Sequence, residues 1–529
     1  RDIPRDVTPR MTRPTDPLVL SIDASTTACK AILWDMTGRG VAEGRAPLSM
    51  SMPRPLWHEQ AASSWWTALV EAVRAALDEG GNPESTAVRV AALCIAPQRE
   101  TTVPVDADGH PLRPALLWMD ERSHALLDEI AERYGRSRIH RETGKPLSGN
   151  LSLGKIAWLR MHEPETFDRT ARFLDVAGYL HHRLTGRYVT GWGCVDPMGL
   201  FDMQNERWDE PLLDVIGVSV DQMPEARPPG AVIGELTAEA AEACGLPAGL
   251  PVVAGVGDGQ AGGIGVNITR PGQAYLNLGT AVISGTYADT YVVDPAFRTM
   301  FGAVPGSYSL ETVLLGGTYT VSWFAERIAG PEGHAESPGE VAARYDDAIA
   351  EIPPGSEGLA LVPYWNSAMN PYWDAEASGI VVGWRGMHTR AHLYRAILEG
   401  IAFEVRLHLT GVEAALGRSV RSLVAMGGGT RSRHWPRIVA DITGKPVFLA
   451  ETPEAAALGA GIQAAAGVGL FADVPEAADA MTHVREAPVE PEVASHAFYS
   501  QLYEEVYRHL FPALQPYVDR LTVLTSGND

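Results

Sequence analysis

The stretch Pro251–Gly263 constrains the fold of this chain more than any other segment. Its apolar run, Val252–Val256, is typical of a buried strand, and it leads into glycines that surround one carboxylate, Asp258. Open α/β sheets bind their ligands at the carboxyl ends of strands, so Asp258 is expected at such an edge. Glycine on both sides lets a substrate approach the carboxylate closely. The sequence therefore predicts that Asp258 accepts a proton from a substrate hydroxyl.

The same segment has two other interpretations, and both stay open. Gly257-x-Gly259-x-x-Gly262 satisfies the dinucleotide-binding fingerprint. An aspartate inside that loop would repel a pyrophosphate, however, and no acidic residue follows at the spacing expected for a ribose ligand. The other interpretation is a glycine-rich turn in which Asp258 only caps a helix.

Two strand–turn–strand patterns open the two halves of the chain. Leu18–Ile22 and Ala31–Trp34 form the first, and Gln273–Leu278 and Ala281–Tyr287 form the second. We interpret them as a structural duplication without obvious sequence identity. A length of 529 residues leaves room for two or three domains.

Small-residue turns follow predicted strands at three places, Asp23–Thr27, Gly279–Thr280 and Gly427–Thr430. Such turns bring backbone N–H groups and hydroxyls to one point, which suits phosphate binding. The Walker A loop is absent, which excludes a P-loop enzyme. With Asp23 and Asp258 available for a hydrated Mg²⁺ ion and for the nucleophile, the three turns predict phosphoryl transfer.

A polar pair, Arg99-Glu100, follows the strand predicted at Val88–Ala96. Arginine offers a planar fork of donors and glutamate offers acceptors, so together they can hold adjacent hydroxyls of a polyol. A surface salt bridge of little energetic value is the alternative. Trp118 has a similar ambiguity, because tryptophan stacks on carbohydrates but more often packs in a core.

Composition excludes several classes of function. The net charge of −22 argues against a nucleic-acid partner, which would need clustered Lys and Arg. The four cysteines are scattered without a C-x-x-C pair, which favours reduced thiols in a cytoplasmic protein. No apolar run reaches the length of a transmembrane helix, so no membrane association is expected. Residues 1–16 are rich in Pro, Arg and Asp and are expected to be a disordered extension.

These motifs together resemble the FGGY carbohydrate kinases over nearly the whole chain. The phosphate motifs of that family are matched by Asp23-x-x-Thr26-Thr27-x-x-Lys30 and Leu278-Gly279-Thr280, its adenosine motif by Gly427-Gly428-Gly429-x-x-Ser432, and its catalytic aspartate by Asp258. Gln98-Arg99-Glu100-Thr101-Thr102 is similar to the substrate motif of glycerol kinases, whereas Trp118-Met119-Asp120-x-Arg122 is closer to sugar kinases. Pro55-Leu56-Trp57-x-Glu59-Gln60 resembles xylulose kinases.

The chain departs from the glycerol-kinase pattern at two positions near the expected substrate. Asn150 stands where glycerol kinases carry a substrate-binding tyrosine, and Gly259 replaces the glutamine after their catalytic aspartate. In the first phosphate turn, Ala24-Ser25 replaces the usual small residue and glycine. The two departures near the substrate favour a ketopentose or a four- or five-carbon polyol over glycerol.

The resemblance implies two actin-like (ribonuclease H-like) α/β domains, residues 17–265 and 266–529, with ATP and sugar in the cleft between them. It implies Asp258 as the catalytic residue and Mg²⁺ held through water by Asp23 and Asp258. The implied substrate-binding residues are Gln98, Arg99, Glu100, Trp118, Asp120, Asn150, Asp258 and Gln260. The implied nucleotide-binding residues are Ser25, Thr26, Thr27, Lys30, Gly279, Thr280, Gly427, Gly428, Gly429 and Ser432.

The expected function is thus ATP-dependent phosphorylation of a small sugar or polyol in carbohydrate catabolism. A glycerol kinase is one alternative. An actin-like, sugar-binding regulatory ATPase without phosphotransfer is another, and a homodimer is left open.

Overall fold

The computed structural model describes residues 16–329, 338–365 and 367–526. The predicted disordered extension, residues 1–16, therefore lies outside the described residues except for Asp16. The carboxylate of Asp16 lies 2.5 Å from the guanidinium of Arg89, just before the first strand.

The strands group into two six-stranded sheets and several two-stranded ones. In chain order they are β1 (Leu18–Ala24), β2 (Ala28–Trp34), β3 (Gly40–Pro47), β4 (Glu59–Gln60), β5 (Val90–Pro97), β6 (Val103–Val105), β7 (Ala115–Leu116), β8 (Arg172–Leu174), β9 (Val189–Gly191), β10 (Phe201–Asp202), β11 (Arg207–Trp208), β12 (Glu225–Arg227), β13 (Val232–Glu235), β14 (Pro251–Val253), β15 (Gln273–Leu278), β16 (Val282–Ala288), β17 (Arg298–Phe301), β18 (Tyr308–Leu314), β19 (Ala360–Val362), β20 (Ile380–Val382), β21 (Ser422–Met426) and β22 (Val447–Leu449).

Helices connect and cover these strands. They are α1 (Ala62–Glu79), α2 (Pro83–Ala87), α3 (Leu127–Tyr134), α4 (Arg136–Thr143), α5 (Ser152–His162), α6 (Pro164–Arg169), α7 (Val176–Thr185), α8 (Trp192–Val195), α9 (Glu210–Ile216), α10 (Ala238–Cys244), α11 (Asp258–Ile264), α12 (Gly317–Arg327), α13 (Pro338–Ala348), α14 (Arg390–Leu416), α15 (Trp435–Thr443), α16 (Ala455–Gly467), α17 (Val474–Met481), α18 (Val493–Leu502) and α19 (Arg508–Ser526). A π-helical turn, Tyr503–Tyr507, joins the last two.

The two large sheets repeat one topology. The first has the strand order β13-β14-β5-β1-β2-β3, and the second, taken from its opposite edge, has the order β22-β21-β15-β16-β18-β17. In the first, β1, β2 and β3 are antiparallel neighbours while β5 runs parallel to β1. In the second, β15, β16 and β18 are antiparallel neighbours while β21 runs parallel to β15. The predicted structural duplication is confirmed, and the α/β fold is the two-domain actin-like one.

Parallel pairing brings the predicted functional residues to one edge of the first sheet. The ends of β1 and β5 are in register at Ala24 and Pro97, and β14 runs parallel to β5. Strand β14 is shorter than the predicted apolar run, because it ends at Val253 and the chain leaves the sheet before α11 begins at Asp258. The carboxylate nevertheless follows the carboxyl end of a parallel strand, as expected for a ligand site.

Helix α11 is held against α16 by contacts that only very small residues allow. A Cβ atom on Gly459 would lie 1.9 Å from the carbonyl oxygen of Ala261, and one on Gly265 would lie 1.9 Å from that of Ala455. Helix α16 also packs on β1 and β5 of the first sheet. A segment from the later half of the chain therefore supports the helix that begins with Asp258. The domain boundary between residues 265 and 266 stays a prediction.

Among the described helices, none combines the length and the apolar character that a membrane span requires. The four cysteines are all buried as free thiols. Burial raises the pKa of each of them, which makes the thiolate form less accessible.

We expect Gly459→Ala to lower the free energy of unfolding by about 1–3 kcal/mol, because its methyl group would overlap the backbone of α11. Chemical denaturation measures the change. The matched control is Gly386→Ala, since a Cβ at Gly386 meets no atom within 4 Å. Equal stabilities of the two variants would contradict the close contact between α11 and α16.

Candidate active site

Asp258 stands at the first position of α11 with one carboxylate oxygen held and the other free. The backbone N–H of Gly259 donates to Oδ1 at 2.8 Å, and Arg99 Nε lies 3.0 Å from the same oxygen. Within the described part of the chain, no group donates a hydrogen bond to Oδ2. The side chain is 40% accessible to solvent. Asp258 is therefore oriented by the protein and has one oxygen available to accept a proton from a bound molecule.

A second carboxylate, Asp23, lies close enough to Asp258 for the two to repel each other. The pKa of Asp23 is raised to about 7, chiefly by burial and also by the Asp258 carboxylate, while Lys30 opposes the shift. The pKa of Asp258 is also raised by burial, and Arg99 opposes this shift. Two neighbouring carboxylates that repel each other are a suitable donor set for an oxygen-preferring cation such as Mg²⁺. The residues at this position fit such an ion.

Behind Asp258 runs a row of buried side chains whose charges alternate in sign. Arg99 Nη1 lies 2.7 Å from Glu311 Oε2, and the other oxygen of Glu311 forms an ion pair with Arg298 Nη2. Arg298 Nη1 then lies 2.5 Å from Glu100 Oε1. We call these five residues, Asp258, Arg99, Glu311, Arg298 and Glu100, the charge row. Burial opposes the ionisation of Glu311, but Arg99 and Arg298 outweigh it and lower the pKa to about 2.

The charge row decides between the two interpretations of the Arg99-Glu100 pair. Arg99 is 8% exposed and Glu100 is 5% exposed, so they do not form a surface salt bridge. The two side chains also have different partners, since Arg99 contacts Glu311 and Glu100 contacts Arg298. Glu100 has a φ of 57°, a left-handed conformation that is costly for a residue with a side chain. The backbone turns sharply at Glu100, where the two side chains diverge to separate partners.

Glu311 and Arg298 were missed in the sequence analysis. Glu311 lies within β18, whose neighbouring residues are mostly apolar, and Arg298 is the first residue of β17. A single charged residue inside an apolar strand is a signal, because burying an unpaired charge is very costly. The sequence shows that such a residue needs a partner but does not show which one.

Three predicted residues form a hydrogen-bonded group at the end of β1. The hydroxyl of Thr26 donates to Gln98 Oε1 at 3.1 Å and accepts from Trp118 Nε1 at 3.1 Å. Trp118 is half-buried, so part of its ring remains accessible. Thr26 was predicted for phosphate binding and the other two for sugar binding. The hydroxyl of Thr26 therefore connects the residues predicted to bind phosphate with those predicted to bind the sugar.

Asn150 and Gln260 both contact the charge row. Asn150 Nδ2 donates to Glu100 Oε1 at 3.4 Å. Gln260 Oε1 accepts from Arg99 Nη1 at 3.3 Å, while its Nε2 donates to the carbonyl of Gly193 at 3.0 Å. Asn150 and Gln260 thus belong to the same network as Asp258, and Gln260 is buried with both amide atoms engaged by the protein itself.

Asp120 differs from the other predicted substrate residues because it is completely buried. Its Oδ1 accepts from Arg122 Nε at 2.8 Å, and its Oδ2 accepts from Arg122 Nη2 at 2.8 Å and from the His58 backbone N–H at 2.6 Å. Both oxygens are occupied by the protein itself. In this structure Asp120 supports the loop after β7 and does not face the cleft.

The residues of the two phosphate turns differ in whether the protein already engages their side chains. The hydroxyl of Ser25 donates to the carbonyl of Ala28 at 2.8 Å and so closes the β1–β2 turn. Thr27 and Thr280 are exposed, and Gly279 is half-buried. Lys30 Nζ lies 2.5 Å from Glu454, the residue that precedes α16. The exposed threonines are free to meet a ligand, whereas Lys30 is already paired.

The three glycines after β21 have separate roles. A Cβ on Gly427 would lie 2.4 Å from Asn277 Oδ1, and one on Gly429 would lie 2.5 Å from the Trp435 ring. A Cβ on Gly428 would meet nothing within 4 Å. Ser432 bonds to Asp346, and its Oγ accepts from the Trp435 backbone N–H at 2.9 Å. Gly427 and Gly428 are both exposed, but of the three glycines only Gly428 could carry a Cβ without meeting another atom within 4 Å.

Comparison with known proteins gives consistent matches along the chain. The model of the N-terminal domain of the FGGY family of carbohydrate kinases matches residues 18–265, and that of the C-terminal domain matches residues 274–468. The xylulose kinase of Escherichia coli (strain K12) is 30% identical over 430 residues, which cover 81% of this chain and 85% of that protein. The glycerol kinase of Geobacter sp. (strain M21) is 30% identical over 466 residues, which cover 86% of this chain and 90% of that protein. The crystal structure of xylulose kinase from Rhodospirillum rubrum superposes with a TM-score of 0.88 at 30% identity, covering 95% of this chain and all of that one (100%).

The glycine turn offers a matched test of nucleotide binding. We expect Gly428→Val to raise the KM for ATP at least tenfold without changing the thermal midpoint, because its side chain would enter the open space beside the turn. Gly429→Val is the matched variant, and it should lower the thermal midpoint, since it would collide with Trp435. An unchanged KM for ATP in the Gly428 variant would show that the nucleotide does not approach this turn.

Proposed function

Because this chain belongs to the FGGY family of carbohydrate kinases, we propose that it transfers the terminal phosphoryl group of ATP to a hydroxyl of a ketopentose, with Asp258 as the general base. The observation that carries this proposal is the state of the Asp258 carboxylate. Arg99 and the Gly259 N–H hold Oδ1, while Oδ2 receives no hydrogen bond from any described residue and the side chain is 40% accessible.

The proposed reaction is a direct in-line transfer. The sugar hydroxyl gives its proton to Asp258 Oδ2 as its oxygen forms a bond to the γ-phosphorus of ATP. The bond between that phosphorus and the oxygen bridging to the β-phosphate breaks, and ADP leaves. Positioning of the hydroxyl and stabilisation of charge supply most of the rate enhancement in this type of reaction.

Mg²⁺ fits the pair of carboxylates formed by Asp23 and Asp258. These residues would hold the ion through water, and the ion would supply charge neutralisation for the phosphate oxygens. The exposed Thr27 and Thr280, together with the backbone of their turns, would hold the phosphate chain. Gly428 would lie beside the adenosine.

The size of Asn150, which contacts Glu100, supports a substrate longer than glycerol. Asn150 is smaller than the tyrosine that glycerol kinases carry at this position, which leaves more room for carbon atoms beyond the third. The Escherichia coli and Rhodospirillum rubrum xylulose kinases also point to a ketopentose. Glycerol is the second candidate, because Arg99-Glu100 matches the glycerol-kinase motif and a glycerol kinase is equally similar at 30% identity.

A series of acceptors from glycerol through tetritols and pentitols to pentuloses tests the substrate. We expect kcat/KM, measured by coupled release of ADP, to be at least tenfold higher for a pentulose than for glycerol. A binding site built for several hydroxyls loses affinity when some of them are missing from the substrate. A reaction without acceptor measures ATP hydrolysis and serves as the control. If glycerol gives the highest value, the ketopentose assignment is wrong.

Asp258→Asn tests the base separately from the substrate. Loss of a positioned base is expected to lower kcat by about 10²–10⁴-fold, while the affinity for ATP, measured by calorimetry, stays nearly unchanged. Asp473→Asn is the control, because Asp473 also lies at the start of a helix but is exposed on α17. A decrease in kcat of less than tenfold would refute the assignment of Asp258 as the base.

A further inference from the structure

We propose that Glu311 is a positioning residue for the reaction, which holds the guanidinium of Arg99 toward Oδ1 of Asp258. The proposal rests on the proposed function, because it takes Asp258 as the base. Glu311 lies on β18 of the second sheet, whereas Arg99 and Asp258 lie at the edge of the first. It contacts neither nucleotide nor sugar in the proposed arrangement and would act through Arg99.

The argument begins with the geometry of Arg99. Its Nε lies 3.0 Å from Asp258 Oδ1, and its Nη1 lies 2.7 Å from Glu311 Oε2. An arginine facing a single carboxylate usually binds both oxygens with two parallel N–H groups. Here a second carboxylate draws one end of the fork toward β18. Arg99 is thus directed toward Oδ1 of Asp258, and no described group donates a hydrogen bond to Oδ2.

Glu311 is itself held in place from its other side. Its Oε1 is paired with Arg298, and the side chain is completely buried, so it has no space in which to rotate. Arg298 in turn contacts Glu100, whose Oε1 also accepts from Asn150. One buried carboxylate thus sets the orientation of both arginines. Through them it touches the proposed base at one end and the proposed sugar-binding glutamate at the other.

Gly259 provides an independent observation in favour of this arrangement. A Cβ on Gly259 would lie 2.7 Å from Glu311 Oε2 and 2.9 Å from Arg99 Nη2. A Cβ on Gly257 would lie 2.3 Å from Arg99 Cδ. The glycines on both sides of Asp258 therefore make room for Arg99 and Glu311. Any side chain at position 259 would push the carboxylate and the guanidinium apart.

A purely structural role for Glu311 predicts different behaviour. Removing one partner from a buried ion-pair network destabilises a protein, but it need not change turnover of the molecules that remain folded. A positioning role predicts lower turnover per folded molecule. It also predicts that the KM for ATP stays unchanged, because no nucleotide-binding turn contacts Glu311 in the described structure.

The experiment compares Glu311→Gln, Glu311→Asp and Gly259→Ala with the unaltered chain, using ATP and the best acceptor from the substrate series. Assays run well below the thermal midpoint of every variant, and rates are corrected for the folded fraction measured by circular dichroism. We expect Glu311→Gln to lower kcat at least 30-fold with the KM for ATP changed less than twofold. Glu311→Asp keeps the negative charge, so its kcat should be at least threefold higher than that of Glu311→Gln.

Gly259→Ala provides the second route, and it covers the case in which Glu311→Gln fails to fold. It leaves every charge in place but inserts a methyl group between Arg99 and Glu311, so it should also lower kcat at least tenfold. Asp479→Asn, which breaks an exposed pair with Arg270, is the control and should keep full activity. Full turnover per folded molecule in Glu311→Gln, or in Gly259→Ala if the first variant is unfolded, would overturn the proposal.

The result can be separated from a failure of the proposed function. If Asp258→Asn keeps its activity, the base has been assigned wrongly and the proposed function fails. If Asp258→Asn is inactive while Glu311→Gln is fully active, only the role of Glu311 is refuted.

Discussion

The buried charge row, Asp258–Arg99–Glu311–Arg298–Glu100, is the interaction on which the candidate site depends. Its two arginines and two glutamates are removed from water, and such charges are tolerated only where partners of opposite sign and hydrogen bonds compensate for the lost hydration. Both oxygens of Glu311 are paired, one with each arginine. Because the members come from the turn after β5, from α11, and from β17 and β18, the row fixes the edge of the first sheet relative to the second. The site therefore exists only when both halves of the chain are folded together.

A second constraint is the close approach of α11 and α16. The two helices touch through glycine and alanine, where backbone meets backbone without side chains between them. This contact lets a helix from the later half of the chain lie on the first sheet, directly behind the helix that begins with Asp258. Rigid support of this kind is what a proton acceptor needs, since a displacement of about 1 Å lowers catalysis markedly. Packing and chemistry are thus connected through the same short segment.

Several predictions from the sequence agree with the structure because they depend on local physics. The hairpins β1–β2 and β15–β16 follow from apolar runs separated by small polar turns, and both form as expected. The glycines around Asp258 were predicted to allow a close approach, and the structure shows that Arg99 and Glu311 are the groups that approach. Local patterns thus identified the position of close approach, but they did not show that Arg99 and Glu311 occupy the space beside the glycines.

The α/β class, the duplicated hairpins and the position of Asp258 after a buried strand could be predicted from the sequence, because strand, turn and glycine preferences act between near neighbours in the chain. Long-range contacts could not be predicted in this way: Arg122 encloses Asp120, Thr26 connects Gln98 to Trp118, and Arg99 and Glu100 have separate partners. Arg99 and Glu311 are 212 positions apart, and Arg298 and Glu100 are 198 apart. A charged residue within an apolar strand indicates that it needs a partner of opposite charge. The sequence does not show which one, because the Coulomb attraction depends on distance, and only the folded sheets bring one particular partner within 3 Å.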